Sequence, residues 1–297
     1  MSNTLLEEQL QSLCDAAIQA AQEAGQYIQQ VDRDNLQSVF KGAGSSVASQ
    51  IVTEVDIRSE EIIRRRLEEI STSLGIAFVG EESPLSNQKK RFEKPYFWCI
   101  DPLDGTLAFA EGRSGYAVSI ALLEQSGEPV IGVVYVPDRE ILLYAIKGQG
   151  SFRDMAPFSQ TKHTSKHLMV YADDSFKYHE RYKSTLVTID RCAHTLGLEG
   201  AAFVYGNGAV KNACHVLESN QACYLKLAKK EDGGGSIWDY AATACIAHET
   251  GAWASNIYGN RLDLNRRDST FMNHEGVIFA SSYQIARCLI DNLYLKA

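Results

Sequence analysis

The chain is short of the features that mark several large protein classes. It has only 6 prolines in 297 residues and no stretch that reads as a linker or low-complexity tail. It shows no internal repeat, so a solenoid or propeller is not expected. No window approaches the roughly 18 uninterrupted apolar residues that a membrane span requires. The opening Met1-Ser-Asn-Thr-Leu-Leu-Glu-Glu lacks the basic segment and apolar core of a secretory signal, so the cytoplasm is the expected compartment. Positive charge is in deficit: 29 Lys and Arg against 37 Asp and Glu give a net charge of -8. That balance argues against a nucleic-acid polymer as partner. It does not exclude a small phosphate-bearing molecule, because bound metals can make a local potential positive. The seven cysteines are odd in number and scattered through apolar surroundings, which predicts reduced core thiols rather than a disulfide framework.

What is present is an ordinary globular composition, 45% hydrophobic and 22% charged, on a chain near the size where one domain becomes two. Apolar residues from Leu5 to Ile28 recur at helical spacing, and Ile57, Ile62, Ile63, Leu67 and Ile70 mark a second helix over 56–70. Between them Lys41-Gly-Ala-Gly-Ser-Ser46 is a polar break. Strands are predicted at 76–79, 96–100, 116–123, 130–136 and 140–146. Turns at Gly127-Glu128 and Pro137-Asp138 make the last three an antiparallel meander. The second half reads as strands at 168–171, 224–228 and 276–280. Helices are predicted at 177–186, from the Gly206 turn to Leu217, at 236–249 and at 283–293. Two subdomains, 1–150 and 151–297, sharing a cleft are expected.

The chemistry concentrates in Trp98-Cys-Ile-Asp101-Pro-Leu-Asp104-Gly-Thr106, where an apolar strand ends in two carboxylates three residues apart. Pro102 stiffens the exit and Gly105 permits a tight turn. Carboxylates held that close repel unless protons or a cation intervene, and a hard divalent metal answers that need. Three more acids belong with them. Asp56 opens the second helix, where capping alone also explains an acid. Glu81 follows a strand and a glycine, which fits an exposed loop acid equally well. Asp239 sits in the first turn of an apolar helix, directly after Gly233-Gly-Gly235. Gly105 and Thr106 offer backbone donors at a helix start, where phosphate oxygens bind. Cys99 lacks the glycine and arginine pattern of a cysteine phosphatase.

Thr53-Glu-Val-Asp56, Gly80-Glu-Glu82, Asp101-Pro-Leu-Asp-Gly-Thr106, Val130-Ile-Gly-Val-Val-Tyr135 and Trp238-Asp-Tyr-Ala-Ala242 stand together in one chain. In order and spacing, over nearly the whole length, the sequence resembles the inositol monophosphatase superfamily of metal-dependent, lithium-sensitive phosphatases. The resemblance implies a layered α/β/α/β/α sandwich with the metal site between two α/β subdomains. It implies a first Mg2+ held by Glu81, Asp101 and the Leu103 carbonyl, and a second held by Asp101, Asp104 and Asp239. A weaker third ion would be held by Glu81, partly through water. Asp56 and Thr106, with Glu81, form the implied catalytic set, the first two orienting the attacking water.

Substrate signals are thinner. Gly105, Thr106, Lys211, Asp232 and Asp239 are the candidate substrate contacts. Lys211 follows a Gly206-Asn-Gly-Ala-Val turn as a lysine does in the branch acting on 3'-phosphoadenosine 5'-phosphate; an ordinary surface lysine is the alternative. Asp232 falls with Glu231 in the region where an acid contacts inositol hydroxyls. Leu107-Ala-Phe109 departs from both the nucleotidases and the typical inositol monophosphatases. His163 and His167 are read as surface residues, and Arg113 is only a candidate anion contact outside the expected set. The expected activity is Mg2+-dependent hydrolysis of a small phosphate monoester, with inositol or a related polyol as leaving group. The alternatives are a 3'(2'),5'-bisphosphate nucleotidase and a non-catalytic metal-binding regulatory protein. A homodimer is expected from the resemblance alone.

Overall fold

Two long amphipathic helices cover the outer face of the first sheet. α1 spans Glu7–Gln30 and α2 spans Glu54–Leu74. An antiparallel ribbon of β1 (Ser38–Phe40) and β2 (Ile51–Thr53) leads into α2. The computed structural model describes residues 5–33, 38–40, 51–84, 88–160 and 165–294; the Lys41–Ser46 break and His163 lie outside them. The helix expected over 56–70 begins two residues earlier, so Asp56 lies inside its first turn rather than at its cap.

The first sheet has seven strands in sequence order: β3 (Ala77–Gly80), β4 (Tyr96–Asp104), β5 (Ala117–Glu124), β6 (Pro129–Val136), β7 (Ile141–Ile146), β8 (Gly150–Arg153) and β9 (Ala156–Pro157). β3 and β4 are parallel, and every later pair is antiparallel. A short helix, α3 (Thr106–Ala110), follows β4 directly. All nine residues of β4 are buried, because the strand feeds two cores. Tyr96, Trp98 and Ile100 pack with α1 and α2, whereas Phe97 and Cys99 face the opposite way. The Trp98 indole donates to Ser71 Oγ of α2 at 2.8 Å, so even this core side chain leaves no polar atom unpaired.

The second sheet is built from β10 (Leu168–Tyr171), β11 (Ala201–Val204), β12 (Ala222–Lys226), β13 (Trp253–Ser255) and β14 (Val277–Ala280) in the order β11-β10-β12-β14-β13. α4 (Tyr182–Thr195), α5 (Ala209–Glu218), α6 (Ile237–Thr250) and α7 (Tyr283–Tyr294) complete the chain. α5 and α6 share one core with the inner faces of both sheets. α4 and α7 pack together on the outer face of the second sheet. The sequence of layers is therefore helices, sheet, helices, sheet, helices, the α/β/α/β/α sandwich. The helix expected over 177–186 is instead a 3-10 turn at Asp174–Tyr178 followed by α4. All seven cysteines are free, and six are buried.

Candidate active site

In a regular strand, residues three apart point to opposite faces, so Asp101 and Asp104 could not share a site. The register resolves this. Asp101 pairs with Ser119 and Asp104 with Ala117, so β4 uses three steps where β5 uses two. That extra residue is a β-bulge, and it turns both acids to the same side. The same odd-numbered face carries Phe97 and Cys99 toward α6, which brings Asp239. Oxygens of Asp101, Asp104 and Asp239 all lie within 4.8 Å of one another. This is the only such acidic group among the described residues.

Each acid is anchored by its own scaffold. Asp101 Oδ1 accepts from the Leu103 N–H at 3.1 Å, while its Oδ2 is buried without a hydrogen-bond donor. Asp104 accepts from the N–H groups of Ala209 and Val210 at 3.0 and 2.9 Å, at the start of α5. Gly208 is needed there, since a Cβ would lie 2.2 Å from the Asp104 carboxylate. Asp239 accepts from the Ser236 N–H in a capping box, so it serves α6 and the cluster together. Gly235 adopts φ +82, and a Cβ on it would lie 2.2 Å from the Tyr240 hydroxyl and 2.7 Å from Asp239. The glycine run thus presses backbone against the site.

Burial raises the Asp101 carboxyl well above the usual range, and the charges of Glu81, Asp104 and Asp239 push it further. Burial also raises Asp104 well above its ordinary value, with Asp239 adding to the shift and the two α5 amides opposing it. Burial raises Asp239 as well, with Lys226 pulling the other way. Two buried carboxylates and a half-buried third around one orphaned oxygen cannot all ionise without added positive charge. An all-oxygen donor set of this kind fits a hard divalent cation such as Mg2+.

The other expected residues fall around this centre. Glu81 occupies the turn after β3, tied through its N–H to Ile100 O at 3.1 Å and close enough to raise Asp101. Thr106 Oγ1 lies 2.9 Å from Asp56 Oδ1 and 3.0 Å from Leu103 O, with Asp56 and Thr106 both buried. Gly105 sits at the start of α3 with φ +83, and a Cβ there would lie 2.6 Å from Gly115 O. Lys211 is only 4% exposed, which removes the surface-lysine alternative. Its charge acts on Cys214 and His215 of the same helix. Asp232 and His167 are exposed. Arg113 is exposed, pairs with Glu111 and donates to Gly206 O at 2.8 Å.

Three residues that the sequence reading passed over converge here. Asp173, just after β10, pairs with Lys226 Nζ at 2.7 Å and accepts from Asn212 Nδ2 and Tyr224 Oη, each at 3.2 Å. Burial opposes the charge of Lys226, but Asp173, Tyr240 and Asp239 together hold its ammonium well above the ordinary lysine range. Glu60 accepts from the turn that carries Glu81. Its signal was legible: it falls on the buried stripe of α2 with Asp56, Ile63 and Leu67, where an acid is out of place.

The layered fold and a carboxylate cluster suited to a hard cation define the class as an α/β/α/β/α protein with a divalent-cation site. Comparison with known proteins narrows that class. The model of the inositol monophosphatase family matches residues 9–293, and the chain belongs to that family. It is 29% identical over 223 residues to the 3'(2'),5'-bisphosphate nucleotidase CysQ of Salmonella typhimurium, covering 75% of this chain and 82% of that protein. It is 27% identical over 261 residues to inositol monophosphatase 1 of Sus scrofa, covering 86% and 88%. The crystal structure of the extragenic suppressor protein suhB from Bartonella henselae superposes with a TM-score of 0.72 at 23% identity, over 96% of this chain and 100% of that one. The chain is therefore an enzyme, a phosphoric monoester hydrolase of the inositol monophosphatase type, and the non-catalytic alternative falls. Among the described residues no helix is long and apolar enough to cross a membrane.

Proposed function

We propose that the enzyme hydrolyses a small polyol phosphate, with inositol monophosphate as the type substrate, using Mg2+. The observation that carries this reading is the bulge-built cluster of Asp101, Asp104 and Asp239, with an unpartnered buried oxygen at Asp101. In this reading Glu81, Asp101 and the Leu103 carbonyl hold one ion, and Asp101, Asp104 and Asp239 hold a second. Glu81 also contributes to a weaker third. When bound, Mg2+ supplies positive charge that eases deprotonation of the attacking water and stabilises the departing alkoxide. The protein's own part is orientation. Asp56 accepts the single proton of the Thr106 hydroxyl, which leaves the Thr106 oxygen free to accept a hydrogen bond from water and aim it. Gly105 and Thr106 present backbone N–H groups to the phosphate at the α3 start.

Two of the lysines on the C-terminal side face acids, which supports a hydroxyl-rich leaving group beside them. Lys226 is paired with Asp173, and Lys229 lies within electrostatic reach of Glu231 and Asp232. Asp232 and Asp239 are the substrate-facing acids of this reading. A second reading, a 3'(2'),5'-bisphosphate nucleotidase using Lys211, draws on the CysQ similarity and on the burial of that lysine beside the Asp104-capped turn. The division into 1–150 and 151–297 is part of the proposal; two separate sheets support a two-part chain, but the first sheet continues through β8 and β9 to Pro157. Homodimer formation rests on the family resemblance. The test is a panel of inositol 1-phosphate, fructose 1,6-bisphosphate and 3'-phosphoadenosine 5'-phosphate in Mg2+ buffer. The highest kcat/KM is expected for inositol 1-phosphate, and a preference for the nucleotide would reverse the choice.

A further inference from the structure

Glu60 is a buried acid with no chemical task in the site as described. It lies one helical turn after Asp56 on α2 and is 4% exposed. Its carboxylate accepts from Ser83 Oγ at 2.7 Å and from the Glu82 N–H at 2.9 Å, with Arg64 Nε 3.4 Å away. Ser83 Oγ accepts in turn from the Gly80 N–H, and the Ser83 N–H donates to Gly80 O, both at 3.1 Å. These bonds clamp the turn on both sides of Glu81. The fit leaves no room for a side chain at residue 80, where a Cβ would lie 2.3 Å from Glu60 Oε2. The glycine before Glu81 is explained by Glu60 lying against it.

We propose that Glu60 is the positioning residue for Glu81, fixing the backbone from which that carboxylate reaches the cation. The proposal rests on the reading of Glu81 as a cation ligand. A ligand on a four-residue turn is only as well placed as the turn, and groups that hold ligand backbones tune metal affinity as strongly as many direct contacts do. The arrangement also joins two parts of the site through one rigid element. Asp56 and Glu60, four residues apart, lie on one face of α2, and the first accepts from Thr106 while the second holds the Glu81 turn. Water orientation and cation binding therefore share a single helix as their reference frame.

The test reads the Mg2+ midpoint of thermal stabilisation without substrate, alongside the Mg2+ half-saturation of turnover, in the full chain. Glu60→Ala should raise both by about tenfold to a hundredfold, with kcat largely restored at saturating Mg2+. Glu60→Gln keeps one acceptor oxygen and should shift them less, in the same direction. Gly80→Ala pushes Glu60 off the turn and should reproduce the alanine phenotype. Ser71→Ala, which removes the Trp98 partner on the same helix, should lower Tm while leaving the Mg2+ midpoint in place. Unchanged midpoints in the Glu60 and Gly80 variants, or an equal shift in Ser71→Ala, would overturn the proposal. Should Glu60→Ala fail to fold, Glu60→Gln and Gly80→Ala decide it by the same midpoint. Glu81→Gln separates the two levels. An unchanged midpoint there removes Glu81 as a ligand; a large shift there with silent Glu60 variants sinks only the positioning role.

Discussion

Asp173 and the cluster of Asp101, Asp104 and Asp239 lie near one another and meet the loss of water in opposite ways. Asp173 has its own cation: Lys226 Nζ sits 2.7 Å away, and Asn212 and Tyr224 supply further donors. Asp101, Asp104 and Asp239 have amide donors but no comparable partner, and one oxygen of Asp101 has no donor. The first arrangement is electrostatically complete. The second is left short of positive charge, and a folded protein keeps such a deficit where something from outside completes it. Lys226 marks the boundary, since its charge reaches both Asp173 and Asp239.

The largest expected effect tests the incomplete group. Asp101→Asn should abolish measurable turnover, because Asp101 faces every other acid of the cluster. It should also make the metal-free protein more stable than wild type by removing repulsion among buried carboxylates. Saturating Mg2+ should reverse that order, because only wild type gains the full binding energy. Urea unfolding with and without Mg2+, together with an activity assay, checks both halves. A variant that turns over normally, or that is never the more stable of the two, breaks the comparison.

The complete group should respond in the opposite sense. Lys226→Met strands the Asp173 carboxylate and removes relief from Asp239, at a cost of about 3–5 kcal/mol. Lys226→Met with Asp173→Asn should regain much of that loss, since both charges then leave together. A double-mutant cycle by urea unfolding measures the coupling. If the single substitution proves harmless, Lys226 is not the counter-ion that distinguishes the two groups.

The contrast also explains what was legible in the sequence. The first sheet is a meander whose strands pair with their chain neighbours, so local patterns were enough to find β3 to β7. The second sheet takes its strands out of order, and β11 and β13 are only four and three residues long. Both are edge strands, and Ala-Ala-Phe-Val and Trp-Ala-Ser lack the run of large apolar residues that marks the equally short β10 and β14. The acids of the cluster stood out because they end apolar segments or follow glycines. Asp173 and Lys226 did not, because a charge satisfied by a residue 53 positions away leaves no local mark. The bulge was equally hidden: spacing three suggested two acids held close, but only the register explains how one face receives both.

Thr106 tests orientation against charge. Its hydroxyl lies between Asp56 and the Leu103 carbonyl rather than among the clustered carboxylates. Thr106→Ala should lower kcat by about tenfold to a thousandfold, the usual cost of one positioning group in the transition state. The Mg2+ half-saturation should stay near wild type. Activity that returns fully at high Mg2+ would move Thr106 from water orientation to cation binding.

His215 shows a third solution, in which a half-buried group gives up its charge. It stacks on Tyr171 with ring centroids 4.9 Å apart, on the helix that Asp104 caps. Burial lowers its pKa from 6.5 to about 4, with the charges of Lys211 and Arg139 acting the same way. The folded protein therefore binds this proton less readily than the unfolded chain does. Above pH 6.5 the imidazole is neutral in both states and costs nothing. As pH falls from 6.5 toward 4, the unfolded chain gains the proton first and stability drops, by about 2–3 kcal/mol once the window is crossed. His215→Gln keeps a planar side chain against Tyr171 without titrating, so its stability should decline less steeply over that window. Urea midpoints at pH 7, 5.5 and 4.5 in saturating Mg2+ make the comparison. Parallel curves would show that the acid sensitivity belongs to the carboxylates alone and that neutralisation at His215 is not a separate way of burying charge.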